Sequence, residues 1–227
     1  MNADSTTTRP SAWMALKLGL RRWHRDRTFD GTLARLKSAS APPTAESVSR
    51  LNYGFGNEGW SATNGMLVEL AALVDRAKVG VIECGSGVST FILACRSLRN
   101  SVPTYSLEHH PEWFGKMSEL LRKHGLSHHH MVEAPLVTRG TYDWYSLAKL
   151  PADARFDLVL CDGPPGDTRG GRYGMLPELE SRMTSDCTIV LDDTHRSEES
   201  EIAKRWMAER RGWKRVDRER YSLLTRS

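Results

Sequence analysis

Residues Val79 to Thr90, with the sequence VGVIECGSGVST, decide the expected fold of this chain. The apolar run that ends at Cys84 is typical of a buried strand, and the turn Gly85-Ser86-Gly87 leads straight into a segment that indicates a helix. A strand, a glycine turn and a helix in this order form the first unit of a doubly wound α/β sheet. The start of such a helix offers free backbone N–H groups to an anionic group of a ligand.

Strand and helix patterns alternate through the rest of the chain. The predicted strands are 79–84, 104–108, 130–134, 156–162, 188–192, 213–216 and 221–224, and the predicted helices are 89–96, 111–124, 176–183 and 197–211. Runs such as Leu158-Val159-Leu160 are continuously apolar, which indicates parallel strands covered by helices on both faces. We therefore expect an α/β fold with a doubly wound, mostly parallel seven-stranded sheet, which the last two strands close as a β-hairpin.

The positive charge of the chain is concentrated near its beginning. The net charge is +4, but residues 1–50 contain nine Lys and Arg against four Asp and Glu, so residues 51–227 sum to about −1. Enzymes of nucleic acids usually carry a basic face on the folded domain, so a nucleic-acid substrate is not favoured. No apolar run approaches the roughly 20 residues of a membrane-spanning helix, and no signal peptide is apparent. A cytoplasmic protein is expected.

Residues 1–43 are expected to form a leading segment that docks separately from an enzyme domain at 44–227. A polar tail is followed by a basic amphipathic helix, on which Trp13, Leu16, Leu20 and Trp23 form the apolar stripe. Residues 38–43, SASAPP, then break the helix. The stripe predicts packing on the main domain or on a second copy of the chain, as in a homodimer, with a membrane surface as the alternative.

Two acidic residues near the ends of the first strands indicate a nucleotide-like ligand. Glu83 lies two residues before the glycine turn, where it can accept hydrogen bonds from loop N–H groups or a ligand ammonium. Glu108 ends the second strand, where an acid binds ribose hydroxyls in this architecture. A dinucleotide fingerprint requires a glycine where Thr90 stands, which disfavours a nicotinamide-dependent oxidoreductase. A non-catalytic cofactor-binding module is the other alternative.

The pattern Glu83-x-Gly85-x-Gly87, together with Glu108, resembles the first two motifs of class I S-adenosylmethionine-dependent methyltransferases. Residues 156–165, FDLVLCDGPP, resemble the fourth motif of that family, and residues 188–193, TIVLDD, resemble its fifth strand. The resemblance covers about residues 59–225. It implies S-adenosylmethionine as the cofactor and a small-molecule methyl acceptor.

The resemblance also implies where the cofactor binds. Gly85 and Gly87 would hold its methionine part, Glu108 the ribose, and Glu133-Ala134 the edge of the adenine. The full set of predicted cofactor residues is Glu83, Gly85, Gly87, Ser89, Glu108, His109, Ala134, Asp162 and Trp60. Trp60 belongs to the stretch YGFGNEGW at 53–60, which is expected to act as a lid or to anchor the following helix.

Three acids at neighbouring strand ends predict a metal site. Asp162 follows the fourth main strand, Asp192 and Asp193 follow the fifth, and Mg²⁺ prefers carboxylate oxygens. This arrangement resembles the catechol O-methyltransferase-like group, and it implies Mg²⁺-assisted methylation of a hydroxyl oxygen. Alternatively, Asp192 and Asp193 cap the next helix.

The residue that accepts the acceptor's proton is not fixed by the resemblance. The lysine that serves as base in the catechol group is absent, because Pro165 stands at its position. His195 is the first candidate for a catalytic base, and Asp162 is the second. The glycine-rich loop at 166–174, GDTRGGRYG, is expected to reach the acceptor through Arg169, Arg172 or Tyr173.

Overall fold

The computed structural model describes residues 12–56 and 62–226. The helices are α1 (Ala12–Ser38), α2 (Ala45–Phe55), α3 (Asn64–Val74), α4 (Val88–Asn100), α5 (Pro111–Lys123), α6 (Met175–Leu179) and α7 (Ser197–Glu209). The strands are β1 (Val81–Cys84), β2 (Thr104–Glu108), β3 (His130–Glu133), β4 (Leu136–Arg139), β5 (Tyr142–Tyr145), β6 (Phe156–Cys161), β7 (Met183–Leu191), β8 (Trp213–Asp217) and β9 (Ser222–Arg226). Short 3₁₀ turns flank α6 at Gly171–Gly174 and Glu180–Arg182.

Seven strands form one sheet in the order β3-β2-β1-β6-β7-β9-β8. Five strands of this sheet run parallel, namely β3, β2, β1, β6 and β7. Strand β9 is antiparallel to β7 and pairs with β8 as a hairpin. The predicted doubly wound, mostly parallel sheet with a closing hairpin is therefore confirmed. The order reverses between β1 and β6, and ligands of such sheets bind outside the carboxyl ends of the strands at this switch point.

The core lies on both faces of the sheet. Along β6, Leu158 and Leu160 belong to the cluster under α1 to α5, whereas Val159 and Cys161 belong to the cluster that contains Trp206 of α7. Successive strand residues point to opposite faces, so a strand covered on both sides must be apolar throughout. This is the physical reason for the continuous apolar runs in the sequence.

Helix α1 divides into an exposed and a buried half. Trp13, Leu16, Leu20 and Trp23 of its stripe are all more than half exposed. Further along, Phe29, Leu33 and Leu36 are buried in the core beside α2 and α4. The second half of α1 therefore packs as part of the main body, in contrast to the separate docking expected for the whole leading segment.

A buried arginine holds the break that follows α1. Arg96 of α4 is 1% exposed, and its guanidinium donates to both carboxylate oxygens of Asp75, at 2.8 and 2.5 Å. The same group donates to the backbone carbonyls of Ala39 and Ala41 at 3.2 and 3.0 Å. These bonds satisfy carbonyls that the end of the helix leaves free, and they fix the path of residues 39–41.

The structure corrects three local predictions. Residues Tyr53 to Phe55, expected in a lid loop, end helix α2, since Thr44 caps its start and Gly56, at φ +79°, terminates it. Gly54 is required inside the helix because a Cβ there would lie 2.6 Å from the backbone nitrogen of Phe29. The hairpin of β4 and β5 was not predicted, and β7 begins at Met183 instead of 188.

Within residues 12–56 and 62–226, no helix combines the length and the apolar character that crossing a bilayer would require.

Candidate active site

A cavity of about 710 Å³ opens at the carboxyl ends of β1, β2, β6 and β7, at the switch point of the sheet. Six of the predicted cofactor residues line it: Gly85, Gly87, Ser89, Glu108, His109 and Asp162. Asp192 and Asp193 of the predicted metal site line the same cavity. The topology therefore brings most of the predicted site residues to one place.

The first glycine of the glycine turn leaves little room for a side chain. Gly85 has φ +89°, which only glycine adopts readily, and a Cβ there would lie 3.2 Å from the Cα of Gly163. Gly87 stands directly before α4 and donates its N–H to Thr90 Oγ1 at 3.0 Å. The turn thus presents bare backbone to the cavity at the start of a helix, as a ligand with an anionic group requires.

Glu108 bridges the turn and the loop after β2. Its Oε2 accepts from the hydroxyl and the backbone N–H of Ser86, at 2.6 and 3.2 Å, and its Oε1 accepts from the N–H of His110 at 2.9 Å. Nδ1 of His109 lies 3.4 Å from Oε1. The carboxylate is 4% exposed and faces the cavity, so its fixed position suits the binding of hydroxyl groups.

Glu83 lies behind the turn and is fully buried. Its Oε2 accepts from Thr90 Oγ1 at 2.6 Å and from the hydroxyl of Ser106. Burial raises the pKa of Glu83 to about 7, against these two hydroxyl hydrogen bonds, which lower it. Since Thr90 in turn accepts from Gly87, Glu83 supports the glycine turn through Thr90, and it is not among the described residues that line the cavity. Of the two roles expected from the sequence, support of the loop is the nearer to this arrangement.

Two other predicted cofactor residues have different positions. Ala134 is buried, and its N–H donates to the carbonyl of Glu108 at 2.7 Å, so it supports the end of β2 from within the core. Its neighbour Glu133 forms an ion pair with Lys149 at 2.6 Å. Trp60 lies outside the residues that the structure describes.

Three aromatic residues line the cavity: Phe55, which belongs to the stretch expected to form a lid, and Trp113 and Tyr145, which the sequence analysis missed. Trp113 donates its Nε1–H to the carbonyl of Ser86 at 3.0 Å. The Tyr145 hydroxyl has no hydrogen-bond partner among the described residues, and a Cβ on Gly163 would lie 2.4 Å from it. The alternation in Tyr142-Asp143-Trp144-Tyr145 after Gly140 was the signal for this strand and its inward tyrosine.

The acidic trio, defined as Asp162, Asp192 and Asp193, converges at the ends of β6 and β7. One oxygen from each carboxylate lies within 4.8 Å of the others. Burial raises the pKa of Asp162, and the negative charge of Asp192 raises it further. Burial and the charge of Asp193 likewise raise the pKa of Asp192. Like charges this close resist simultaneous ionisation, so the first two carboxyls titrate as a pair.

A guanidinium lies against the acidic trio. Arg172 is 4% exposed and donates to Asp193 Oδ2 at 2.8 Å and to the backbone carbonyl of Asp192 at 2.7 Å. Its Nη2 also contacts the carbonyl and Oδ1 of Asp162, at 3.2 and 3.4 Å. Oxygen chemistry and spacing would suit Mg²⁺, but Arg172 already binds carboxylate oxygens of Asp193 and Asp162, so two of the three acids are not free to bind a divalent cation. The arrangement as it stands therefore does not fit a bound metal.

The turn after β7 determines the positions of Asp193 and His195. Asp193 adopts φ +60°, and its carboxylate is also 3.1 Å from Arg196 and 3.4 Å from Arg220, which both line the cavity. Helix α7 has Arg196 as its N-cap, without a side-chain cap, so neither aspartate caps the helix. Asp193 is ion-paired instead, and Asp192 Oδ1 accepts from the N–H of Asp193 at 2.8 Å. His195 is exposed on this turn, and it is missing from the cavity lining that the described residues form.

Of the three side chains that the loop at 166–174 was expected to direct at the acceptor, Arg172 lines the cavity. Arg169 is half exposed and pairs with Asp143 at 2.8 Å. The Tyr173 hydroxyl donates to Glu209 at 2.7 Å, and the ring stacks under Arg205. These contacts hold the loop against β5 and α7.

Comparisons with known proteins agree with the fold. Residues 82–194 match a family model described as a methyltransferase domain. No curated protein is similar enough in sequence to match this chain. The match begins at β1 and ends just after Asp193, so it contains both the glycine turn and the acidic trio.

Solved structures with the same fold include several cofactor-bound methyltransferases. A SAH-bound methyltransferase from Podospora anserina has a TM-score of 0.60 at 11% identity, covering 99% of this chain and 100% of that one. An O-methyltransferase from Bacillus cereus in complex with SAH has a TM-score of 0.56 at 14% identity, covering 88% and 99%. The O-methyltransferase TomG from Streptomyces achromogenes, involved in tomaymycin synthesis and in complex with SAM, has 0.55 at 15%, covering 89% and 98%.

The sheet order, the glycine turn and the matched domain define a class I methyltransferase that depends on S-adenosylmethionine. Its sequence pattern resembles that of the catechol O-methyltransferase-like group, and O-methyltransferases are among the solved structures that share its fold.

Proposed function

We propose that this methyltransferase transfers the methyl group of S-adenosylmethionine to a hydroxyl oxygen of a small-molecule acceptor. The observation that carries the proposal is the single cavity that joins the glycine turn and Glu108 to the carboxyl group of Asp162. Gly85, Gly87 and Glu108 would hold the cofactor, which would supply the methyl group, and Asp162 in the same cavity would serve as proton acceptor for an acceptor hydroxyl. A small-molecule acceptor and a cytoplasmic location belong to the same proposal.

Asp162 is the better placed base of the two candidates. Its side chain is 23% exposed and lines the cavity, whereas His195 stands on the outer side of the turn. In the proposed step the acceptor oxygen forms a bond to the methyl carbon while the carbon–sulfur bond breaks. The electron pair of that bond remains on sulfur, and the hydroxyl proton passes to Asp162.

Calorimetry tests the cofactor part of the proposal. S-adenosylmethionine and its demethylated product should both bind, and NAD should not, because Thr90 occupies the position of the third glycine of a dinucleotide site. The reverse ranking would support the nicotinamide-dependent oxidoreductase. Tight binding without turnover of any hydroxylated acceptor would support the non-catalytic module.

Glu108→Ala should weaken binding of the demethylated product by about 1.5–3 kcal/mol, the range for hydrogen bonds to a charged group. The substitution also frees Ser86, which the carboxylate now holds at the turn. Glu119→Ala is the matched control, because Glu119 is an exposed carboxylate on α5. Equal affinities for the two folded variants would remove Glu108 from the cofactor site.

Two further expectations rest on the sequence. Mg²⁺ assistance is an untested expectation that the proposed step does not use, and binding of the ion would require Arg172 to move away from the acidic trio. A homodimer through the apolar stripe of α1 also remains a prediction, supported by the exposure of Trp13 and Trp23. Cation titration tests the first of them, and truncation of α1 tests the second.

A further inference from the structure

The acidic trio already has a permanent cation of its own. The guanidinium of Arg172 is buried beside the three carboxyl groups, and it contacts side-chain oxygens of Asp162 and Asp193 together with the carbonyl of Asp192. One side chain therefore touches all three acids. An arginine cannot lose its charge under physiological conditions, so this positive charge is fixed in the site.

A divalent cation would compete for the same oxygens. Mg²⁺ requires carboxylate oxygens at about 2.0–2.1 Å in octahedral geometry. Nη2 of Arg172 lies 2.8 Å from Asp193 Oδ2 and 3.4 Å from Asp162 Oδ1, so it contacts carboxylate oxygens of two of the acids that a metal would need. A cation at that point would face the positive guanidinium at contact distance, where repulsion costs several kcal/mol even in a polar protein site.

The guanidinium is also anchored against displacement. Two of its contacts are to backbone carbonyls directly after β6 and β7, which the sheet fixes in position. Movement of Arg172 would leave these buried carbonyls without their donor, at a cost of about 1–3 kcal/mol each. Asp193 also pairs with Arg196 and Arg220 at 3.1 and 3.4 Å, so three arginines surround this one carboxylate.

We infer that Arg172 takes the place of a divalent cation in this methyltransferase and orients the acceptor oxygen beside Asp162, so that methyl transfer needs no bound metal. The inference rests on the proposed function for its chemistry. As the hydroxyl proton passes to Asp162, negative charge develops on the acceptor oxygen, and the adjacent guanidinium stabilises it electrostatically. The oxygen then attacks the methyl carbon of S-adenosylmethionine, and S-adenosylhomocysteine leaves.

Titration with Mn²⁺, followed by loss of the free-ion paramagnetic resonance signal, tests the inference without any acceptor. The full-length protein should show no Mn²⁺ site that depends on the acidic trio. Arg172→Ala should create one, with an affinity at least about tenfold higher, because three carboxylates are left without their central cation. Adding Asp192→Asn to that variant should remove the gained site.

Arg169→Ala is the matched control, since it removes an arginine from the same loop that pairs with Asp143 outside the cavity. It should behave as the unmodified protein. A 1:1 Mn²⁺ site in the unmodified protein that Asp193→Asn abolishes would overturn the inference, and this comparison needs no folded Arg172 variant. Turnover should also survive excess chelator. Failure of S-adenosylmethionine to bind would refute the proposed function. The Mn²⁺ titration would still show whether Arg172 excludes a metal from the acidic trio.

Discussion

The Asp162→Asn variant is expected to lose about 10²–10⁴-fold in kcat, the usual contribution of a general base. The amide has nearly the shape of the carboxyl group and can still accept from Arg172, so the fold should persist. It cannot take the proton of an acceptor hydroxyl. The measurement is single-turnover methyl transfer from S-adenosylmethionine, with binding of S-adenosylhomocysteine measured in parallel, because Asp162 also lines the cofactor cavity.

His195→Ala is the matched control for that experiment. His195 was the first candidate base in the sequence, but it is exposed on the turn after Asp193. Its removal should leave kcat within about twofold, as expected for a surface position without contact to the reacting atoms. The opposite result, with a large loss of kcat for His195→Ala and a small loss for Asp162→Asn, would show that the histidine accepts the proton.

A chain truncated to begin at Thr44 is expected not to fold. The truncation removes Phe29, Leu33 and Leu36 from the core, and comparable large-to-small substitutions cost about 2–5 kcal/mol each. Their sum reaches the whole stability of a typical domain, about 5–15 kcal/mol. It also removes the carbonyls of residues 39 and 41 that Arg96 binds. Circular dichroism and thermal unfolding measure the result.

A chain truncated to begin at His24 is the control, because it removes the exposed stripe residues and keeps the buried half of α1. This variant should fold and bind S-adenosylmethionine as the full chain does. Light scattering of the same variant tests the predicted homodimer, which should become a monomer. A cooperatively folded chain that begins at Thr44 and still binds the cofactor would show instead that residues 1–43 are a separate unit.

The fold could be predicted from the sequence because its signals are local. The run from Val79 to Cys84, the turn at Gly85 and the strand end at Glu108 each follow from hydrophobic periodicity and the freedom of glycine. Parallel strands then bring their carboxyl ends to one edge, so the convergence of Asp162 with Asp192 also followed from topology. Helix α2 was not predicted because the glycines at 54 and 56 are typical of a loop. The close approach of Phe29, which explains Gly54 within a helix, is seen only in the structure.

The sequence by itself determined the order of the elements, the glycine turn and which acids stand at the strand ends. Tertiary structure decided where their side chains point: Glu83 supports the turn from the core, His195 faces outward, and Arg172 reaches across from its own loop to the acidic trio. Periodicity specifies a backbone and one buried face. The partner of a charged side chain depends on segments distant in sequence, because a buried charge is stable only where the fold supplies its counter-charge.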